Sequence, residues 1–306
     1  MTTEEGSFTT DDGFKLYTKT WKTAGPAVAR LVFIHGFSDH CNTYGGFFPA
    51  LASRGVEVYS FDQRGWGRSV HKPAEKGDSG PTTRVLADID CFIKSVLPSP
   101  VPLFLMGHSM GGGEVLCFAA NGPAETRKHI RGYLLESPFV DFDPKSKPSS
   151  ITVVLGRLVG KLMPKRQMVN ALDWKLVSRD QTVGMTFRDD PLCHNTGTLE
   201  GLAGMLDRTA ALSGGKIRVG KAAGEGGVTR ISIAHGTADG ICSFAATKHL
   251  ASQLEADDKE FKPYEGYYHR LNDEPKPDGE NYINDVGNWI LARIDKPAEE
   301  AAKPKL

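Results

Sequence analysis

The chain has 306 residues, and its 37 Lys+Arg balance 37 Asp+Glu to a formal net charge of zero. That length can bury a single α/β core, with or without an inserted subdomain, and the even charge offers no basic footprint for nucleic acid. The five cysteines, Cys41, Cys91, Cys117, Cys193 and Cys242, include no CxxC pair and are odd in number, which suits reduced thiols in a cytoplasmic protein and implies no zinc site.

The N-terminal MTTEEGSFTTDDGFK is acidic and polar where a secretory signal needs a basic start and an apolar core. No apolar run reaches the length of a transmembrane segment, so a soluble protein is expected, at most resting on a membrane surface. Residues 13–22, GFKLYTKTWK, alternate apolar and polar side chains and predict a half-exposed antiparallel strand at a sheet edge. Residues 29–34 predict a buried strand running into His35-Gly36-Phe37-Ser38-Asp39-His40, ahead of a helix over about 43–54. Such a loop suits donation of a backbone N–H, that of Phe37, to a reacting oxygen; the plainer reading is a βα loop with a structural His35.

Residues 56–61 form the next strand, ending in Asp62-Gln63-Arg64-Gly65-Trp66-Gly67-Arg68-Ser69. Without GxxxxGK[ST], or GxGxxG opening a helix, this loop is no phosphate cradle; Asp62 and Arg64 are expected to brace it through buried, charge-assisted hydrogen bonds. Residues 82–97 predict a helix started by Pro81 and stopped by Pro98. The segment LFLMGHSMGGGE, 103–114, then reads as strand, sharp turn and helix. It is the pattern of a nucleophile elbow, with Ser109 at a strained apex, flanking glycines where any Cβ would collide, and the Met110 N–H aimed at a reacting oxygen.

After a strand at 130–135 ending in Glu136-Ser137-Pro138, the alternation of strand and helix breaks. Residues 141–218 have a proline-rich entry, helical patches and no obvious sheet strand. They are expected to form a cap inserted between a first core part, 1–140, and a second, 219–296, with a flexible tail over 297–306. Within the cap Ile151, Leu155, Leu158 and Leu162 recur at helical spacing, with Thr152, Gly156 and Gly160 off that line. Two readings follow: a lid whose apolar face lines an acyl pocket or dips into lipid, or a helix packed on the body. The glycine-rich stretch 213–227 predicts a flexible linker. Residues 229–234 and 259–264 predict late strands, ending respectively at His235-Gly236-Thr237-Ala238-Asp239 and Gly266-Tyr267-Tyr268-His269, with helices over 243–254 and 280–294.

A serine hydroxyl needs an imidazole to take its proton and a carboxylate to hold that imidazole. Ser109, Asp239 and His269 occur in the order serine, acid, histidine that an α/β hydrolase sheet requires, each just past a predicted strand. Glu136 and Asp141 are alternative acids. His35, His108 and His235 do not follow the last predicted strand and read as structural, hydrogen-bonded histidines. Cys242, beside the acid, reads as a small buried hydrophobe, with a redox-sensitive thiol as the alternative.

The set HGFSDH, DQRGWGRS, GHSMGG, HGTAD and YHRLNDEP resembles the monoacylglycerol lipases, particularly the fungal ones, over nearly the whole chain. The resemblance implies a mostly parallel sheet flanked by helices with a mobile helical cap, hydrolysis of monoacylglycerol to glycerol and fatty acid, no cofactor, and peripheral contact with membranes or lipid droplets. It places nucleophile, acid and base at Ser109, Asp239 and His269 and the oxyanion donors at the Phe37 and Met110 amides. A broader carboxylesterase or lysophospholipase is the alternative. The chain departs from the family at Ser243, where relatives are often acidic, and around residues 190–194, where only the DPL core remains.

Overall fold

The computed structural model describes residues 2–294; the tail expected at 297–306 lies outside them. The chain opens with β1 (Thr2–Thr9) and β2 (Lys15–Lys22), continues through β3 (Ala29–Ile34), α1 (Phe47–Ser53) and β4 (Val56–Phe61), and then α2 (Thr82–Ser95). β5 (Leu103–His108), α3 (Met110–Asn121), α4 (Ala124–Arg127) and β6 (Ile130–Glu136) complete the first half of the core. The main sheet has eight strands in the order β1-β2-β4-β3-β5-β6-β9-β10, where β9 is Arg230–Gly236 and β10 is Asp258–Tyr264. All pairs from β4 to β10 are parallel, while β2 is antiparallel to β1 and β4.

β2 is therefore not an edge strand. β1 covers it in unbroken register from Thr2 opposite Lys22 to Thr9 opposite Lys15. The sequence TTEEGSFT hides this strand because nearly all its side chains are exposed, so neither face needs apolar residues; the ladder and ion pairs such as Lys19–Glu5, 3.3 Å, hold it.

Successive residues of a central strand point to opposite faces, and β3 serves both sides. Val32 and Ile34 join one cluster with Val85 and Ile89 of α2 and Val115 of α3. Leu31 and Phe33 join another with Phe47 and Phe48 of α1 and Val286 and Ile290 of α9 (Asp278–Leu291). The chain leaves β3 for β4 on one side, and β5 lies on the other. Where connections diverge, a crevice opens at the carboxyl ends of the strands, here between the loops after β3 and β5.

Between β6 and β9 the chain leaves the sheet and forms α5 (Ser150–Leu162), β7 (Gln167–Val169), α6 (Gln181–Asp189), β8 (Thr196–Thr198) and α7 (Leu199–Ser213). β7 and β8 pair antiparallel as a small separate sheet, unforeseen because three residues are too few to show a period. α7 is anchored to the elbow helix by the buried ion pair of Arg208 and Glu114, 3.0 Å. Nor is 213–227 a loose linker throughout: Val219 and Ala223 are buried, Tyr133 donates to the Ala223 carbonyl at 2.6 Å, and Thr229 Oγ1 bridges Gly220 and Ala223.

The apolar stripe of α5 neither lines a pocket nor packs on the body. None of its residues is buried, and its apolar stripe faces outward, with Ile151 71% and Leu162 86% exposed. The opposite side, where Thr152, Val153 and Gly156 stand, closes a cavity with Leu199, Leu202 and Met205. A Cβ on Gly160 would lie 3.3 Å from Leu199 Cβ, so small residues face α7 and leave the large ones to solvent. No helix among the described residues is long and apolar enough to cross a membrane. α8 (Phe244–Gln253) follows β9, capped by the Ser243 hydroxyl accepting from Ala246 N–H.

Candidate active site

Ser109 stands between the buried strand β5 and α3 with φ 55° and ψ −119°. A non-glycine residue in this region is strained and persists only where its surroundings hold it. They do: Ser109 N–H donates to Glu136 O at 3.0 Å, and its carbonyl accepts from Gly113 N–H at 3.1 Å and Phe139 N–H at 2.8 Å. A Cβ at Gly107 would collide with the Gly111 carbonyl, and one at Gly111 with the carbonyl of Ile34. The turn thus packs directly against the end of β3.

That contact brings the loop after β3 to the serine; a Cβ on Gly36 would lie 3.2 Å from Ser109 Cβ. Gln63 N–H donates to His35 Nε2 at 2.8 Å, so Nδ1 carries the ring proton and donates to Gly36 O, also 2.8 Å away. In a trans peptide the N–H opposes the carbonyl, so fixing Gly36 O fixes the direction of Phe37 N–H. The same logic holds for Met110 N–H, whose peptide carbonyl is that of Ser109. Neither N–H has a hydrogen-bond acceptor among the described residues. Met110 also begins α3, whose N-terminal dipole favours negative charge.

Asp239 follows β9 and His269 follows β10, and the two meet: His269 Nδ1 is 2.8 Å from Asp239 Oδ2. Asp239 Oδ1 accepts from Ile241 N–H at 2.8 Å and Cys242 N–H at 3.0 Å. Burial alone would raise this carboxyl, but His269 and His235 outweigh it and hold it well below the usual carboxylate range. The Ser109 hydroxyl lies 3.8 Å from Cys242 Sγ and shares no hydrogen bond with His269 in this conformation. Burial pushes the Cys242 thiol well up, with Asp239 adding to the effect, which matches a buried packing role for the sulfur.

The alternative acids lie elsewhere. Glu136 Oε1 accepts the N–H groups of Leu271 and Asn272 at 2.9 and 3.3 Å, and Oε2 is 3.8 Å from His108 Nδ1. Burial pushes its carboxyl up to about 8, against the pull of those backbone donors and Arg270. Asp141 pairs with Lys147 at 3.5 Å. His108 rests against His269, ring centroids 4.8 Å apart, and burial, then His269 and Arg270, hold it well below its ordinary value. It is a neutral wall. His235 is less passive than its sequence position suggests, donating from Nε2 to Asp239 Oδ2 at 3.0 Å.

Around these residues Phe37, Trp66, Met110, Phe139, Ile241 and Leu202 form an apolar shell. Trp66 packs on Phe37, centroids 4.8 Å apart, and stacks on His194 at 5.0 Å. The segment before α6 is tied to the histidine loop: Arg270 N–H donates to Val177 O at 2.8 Å, Ser178 Oγ to Asp273 O at 2.8 Å, and Arg179 to Glu274 at 2.6 Å. Arg270 also pairs with Asp39 of the β3 loop at 2.6 Å. Asp62, as expected, braces its loop by accepting from Cys41 N–H at 2.8 Å and Arg68 N–H at 2.7 Å, while Arg64 reaches Asp88 at 2.8 Å. His40, Asp190 and Cys193 also cluster, but His40 Nδ1 accepts from Asn42 N–H, leaving Nε2–H to bond Asp190, which suits a hydrogen bond and not a metal.

A serine with two amides free to bind an oxyanion, beside a carboxylate-held imidazole in an apolar chamber, is equipped for acyl transfer. Comparisons with known proteins agree. The family model for serine aminopeptidase, S33, matches residues 25–276. The putative monoglyceride lipase of Schizosaccharomyces pombe is 34% identical over 290 residues, covering 93% of this chain and 73% of that protein. The monoacylglycerol lipase of Mycolicibacterium smegmatis is 27% identical, covering 96% and 99%. The crystal structure of a soluble variant of monoglyceride lipase from Saccharomyces cerevisiae, in complex with a substrate analog, superposes with a TM-score of 0.85 at 24% identity, covering 96% of this chain and 97% of that one.

Proposed function

This chain belongs to the monoacylglycerol lipases of the α/β hydrolase superfamily, within the serine aminopeptidase S33 family, and on that premise we propose that Ser109, Asp239 and His269 carry its hydrolysis of monoacylglycerol to glycerol and fatty acid. The supporting observation is the meeting of His269 Nδ1 with Asp239 Oδ2 at 2.8 Å, which leaves His269 Nε2 as the base.

Ser109 turns from Cys242 toward His269, gives its proton to Nε2 and bonds to the ester carbonyl carbon. The carbonyl electron pair moves to oxygen, where the Phe37 and Met110 amides receive it. Asp239 stabilises the imidazolium and holds its orientation. Collapse of the intermediate breaks the bond to glycerol, which leaves with the proton from His269, and water repeats the sequence to release the fatty acid. The apolar chamber and the cavity beneath α5, lined by Val153, Leu199, Leu202 and Met205, suit an acyl chain.

Residues 141–218 act as the cap. The rear, at 177–179, is strapped to the histidine loop, while α5 buries no residue, so opening is assigned to α5. Its outward stripe of Ile151, Leu155, Leu158 and Leu162 docks on a lipid surface, with Lys161 beside anionic headgroups, while Arg157 is held by Asp207 and Lys165 by Asp78 and Glu200. This makes the protein a peripheral one, cytoplasmic when undocked.

The test is a fluorophosphonate label with a substrate panel. Labelling that is lost in Ser109→Ala, with turnover of 2-monooleoylglycerol exceeding that of p-nitrophenyl acetate and lysophosphatidylcholine, is expected. Labelling that persists in the alanine variant overturns the nucleophile assignment. Equal turnover of all three esters assigns a broader carboxylesterase.

A further inference from the structure

We infer that His235 is a second imidazole on the catalytic acid, a positioning residue that sets how strongly Asp239 draws on His269; this rests on the triad reading above. Asp239 Oδ2 accepts from two rings, His269 Nδ1 at 2.8 Å and His235 Nε2 at 3.0 Å. With the two backbone donors on Oδ1, the carboxylate has four partners. His235 comes from the end of β9, four residues before the acid it serves.

The tautomer of His235 follows from its neighbours. Nε2 faces two acceptors, Asp239 Oδ2 and, at 3.3 Å, Cys242 O, so Nε2 carries the proton. Its Nδ1 is buried and finds no donor. A ring that served only to fill space would meet less constraint as a phenylalanine or leucine, with no polar nitrogen to leave unpaired. The arrangement makes sense if Nε2–H is what the site needs.

The consequence is electrostatic. Every donor on a carboxylate lowers its basicity, so the His235 N–H weakens the bond that Asp239 offers the His269 imidazolium. Removing it concentrates the carboxylate's charge on His269, favours the protonated ring and moves the acid limb of the rate profile to higher pH. The other groups facing His269 are fixed through this change. His108 lies against the ring at 4.8 Å, Glu136 stands behind His108, and Arg270 is paired with Asp39. On the far side of His235 the Phe244 ring, 5.8 Å away, carries no charge.

The experiment compares pH profiles of kcat/KM for the parent, H235L, H235Q and H235N on one soluble ester. Leucine removes the donor, glutamine places an amide N–H near the position of Nε2, and asparagine falls short of Asp239. Expected are an acid limb about 0.5–1 pH unit higher in H235L and H235N, with KM nearly kept, and a limb at the parent position in H235Q. A limb unmoved in H235L or H235N, one that H235Q fails to restore, or loss of folding in both H235L and H235N while H235Q folds, overturns the proposal in favour of an architectural histidine. Fluorophosphonate labelling of the parent at Ser109, run in parallel, separates the two readings: its absence fells the triad itself, and its presence with unmoved limbs fells only the role of His235.

Discussion

The Ser109 hydroxyl rests 3.8 Å from the Cys242 sulfur while His269, the proposed base, is engaged with Asp239 through Nδ1. Ser109 and His269 thus both border the Cys242 sulfur without sharing a hydrogen bond, a looseness common in ligand-free sites. Replacing Ser109 by Ala will remove about four or more orders of magnitude of kcat, whereas Cys242→Ala, which touches only the resting contact, will retain fluorophosphonate labelling. Because Cys242 is buried and Cys91 is partly exposed, brief iodoacetamide treatment will modify Cys91 first, as peptide mapping will show.

The proposed oxyanion donors are backbone N–H groups beyond the reach of side-chain substitution, but the His35 ring behind one of them can be removed. Gln63 pins His35, which holds the Gly36 carbonyl and so aims the Phe37 N–H. Its side chain also donates to His35 O at 2.8 Å. His35→Ala removes the ring that holds the Gly36 carbonyl, which Gln63→Ala would not because its backbone N–H remains, and will lower kcat by about 10- to 100-fold with a smaller change in KM. Steady-state kinetics on a soluble ester will read this directly.

Glu136 links pH to stability. Its carboxyl is pushed from an ordinary value of 4.5 up to about 8, burial being the main cause. Between those values the folded chain keeps a proton that the unfolded chain has released, so this stabilisation is complete below about 4.5 and declines as pH rises through about 8. Glu136→Gln keeps an acceptor for Leu271 and Asn272 and has no proton to lose. Urea titrations across that window will show the variant gaining on the parent by about 2–4 kcal/mol.

The outward stripe of α5 gives a separate test. Leu155 and Leu158 are 56% and 55% exposed, so Leu155→Ser with Leu158→Ser will cost the free protein little, within about 0.5 kcal/mol. Sedimentation with vesicles containing anionic lipid will fall several-fold, while hydrolysis of a soluble ester will stay near the parent rate. Unchanged sedimentation would remove α5 from the docking surface.

β3 was legible because burial on both faces demands a nearly continuous apolar run, and β4 because its apolar residues alternate with half-buried ones; both begin and end where the sequence indicates. The convergence of residues 109, 239 and 269 on one sheet edge was legible too, since each follows a strand. β1 was hidden because an exposed ladder imposes no pattern on its side chains. The direction of the α5 stripe was beyond sequence because a period shows that a face is apolar, not what it meets. His235 was read as structural because chain order selects one histidine and is silent on which others turn toward the acid. Gln63 likewise had no signal: its role depends on two loops that meet only after the sheet has formed.

The outer strands of the main sheet carry a consequence for the molecule in a crowded solution. A protein that shows Ile151 and Leu162 to water already has one adhesive patch, and bare backbone at the rims of an eight-stranded sheet would add sites for strand-by-strand growth into filaments. At one rim β1 presents Glu4 and Glu5, each tied to a lysine of β2. At the other, β10 offers Lys259, Glu260 and Lys262 together with Pro263, which has no N–H to give. Charge and a missing donor at the rims oppose end-on polymerisation, leaving the greasy helix free to meet lipid without seeding a fibre.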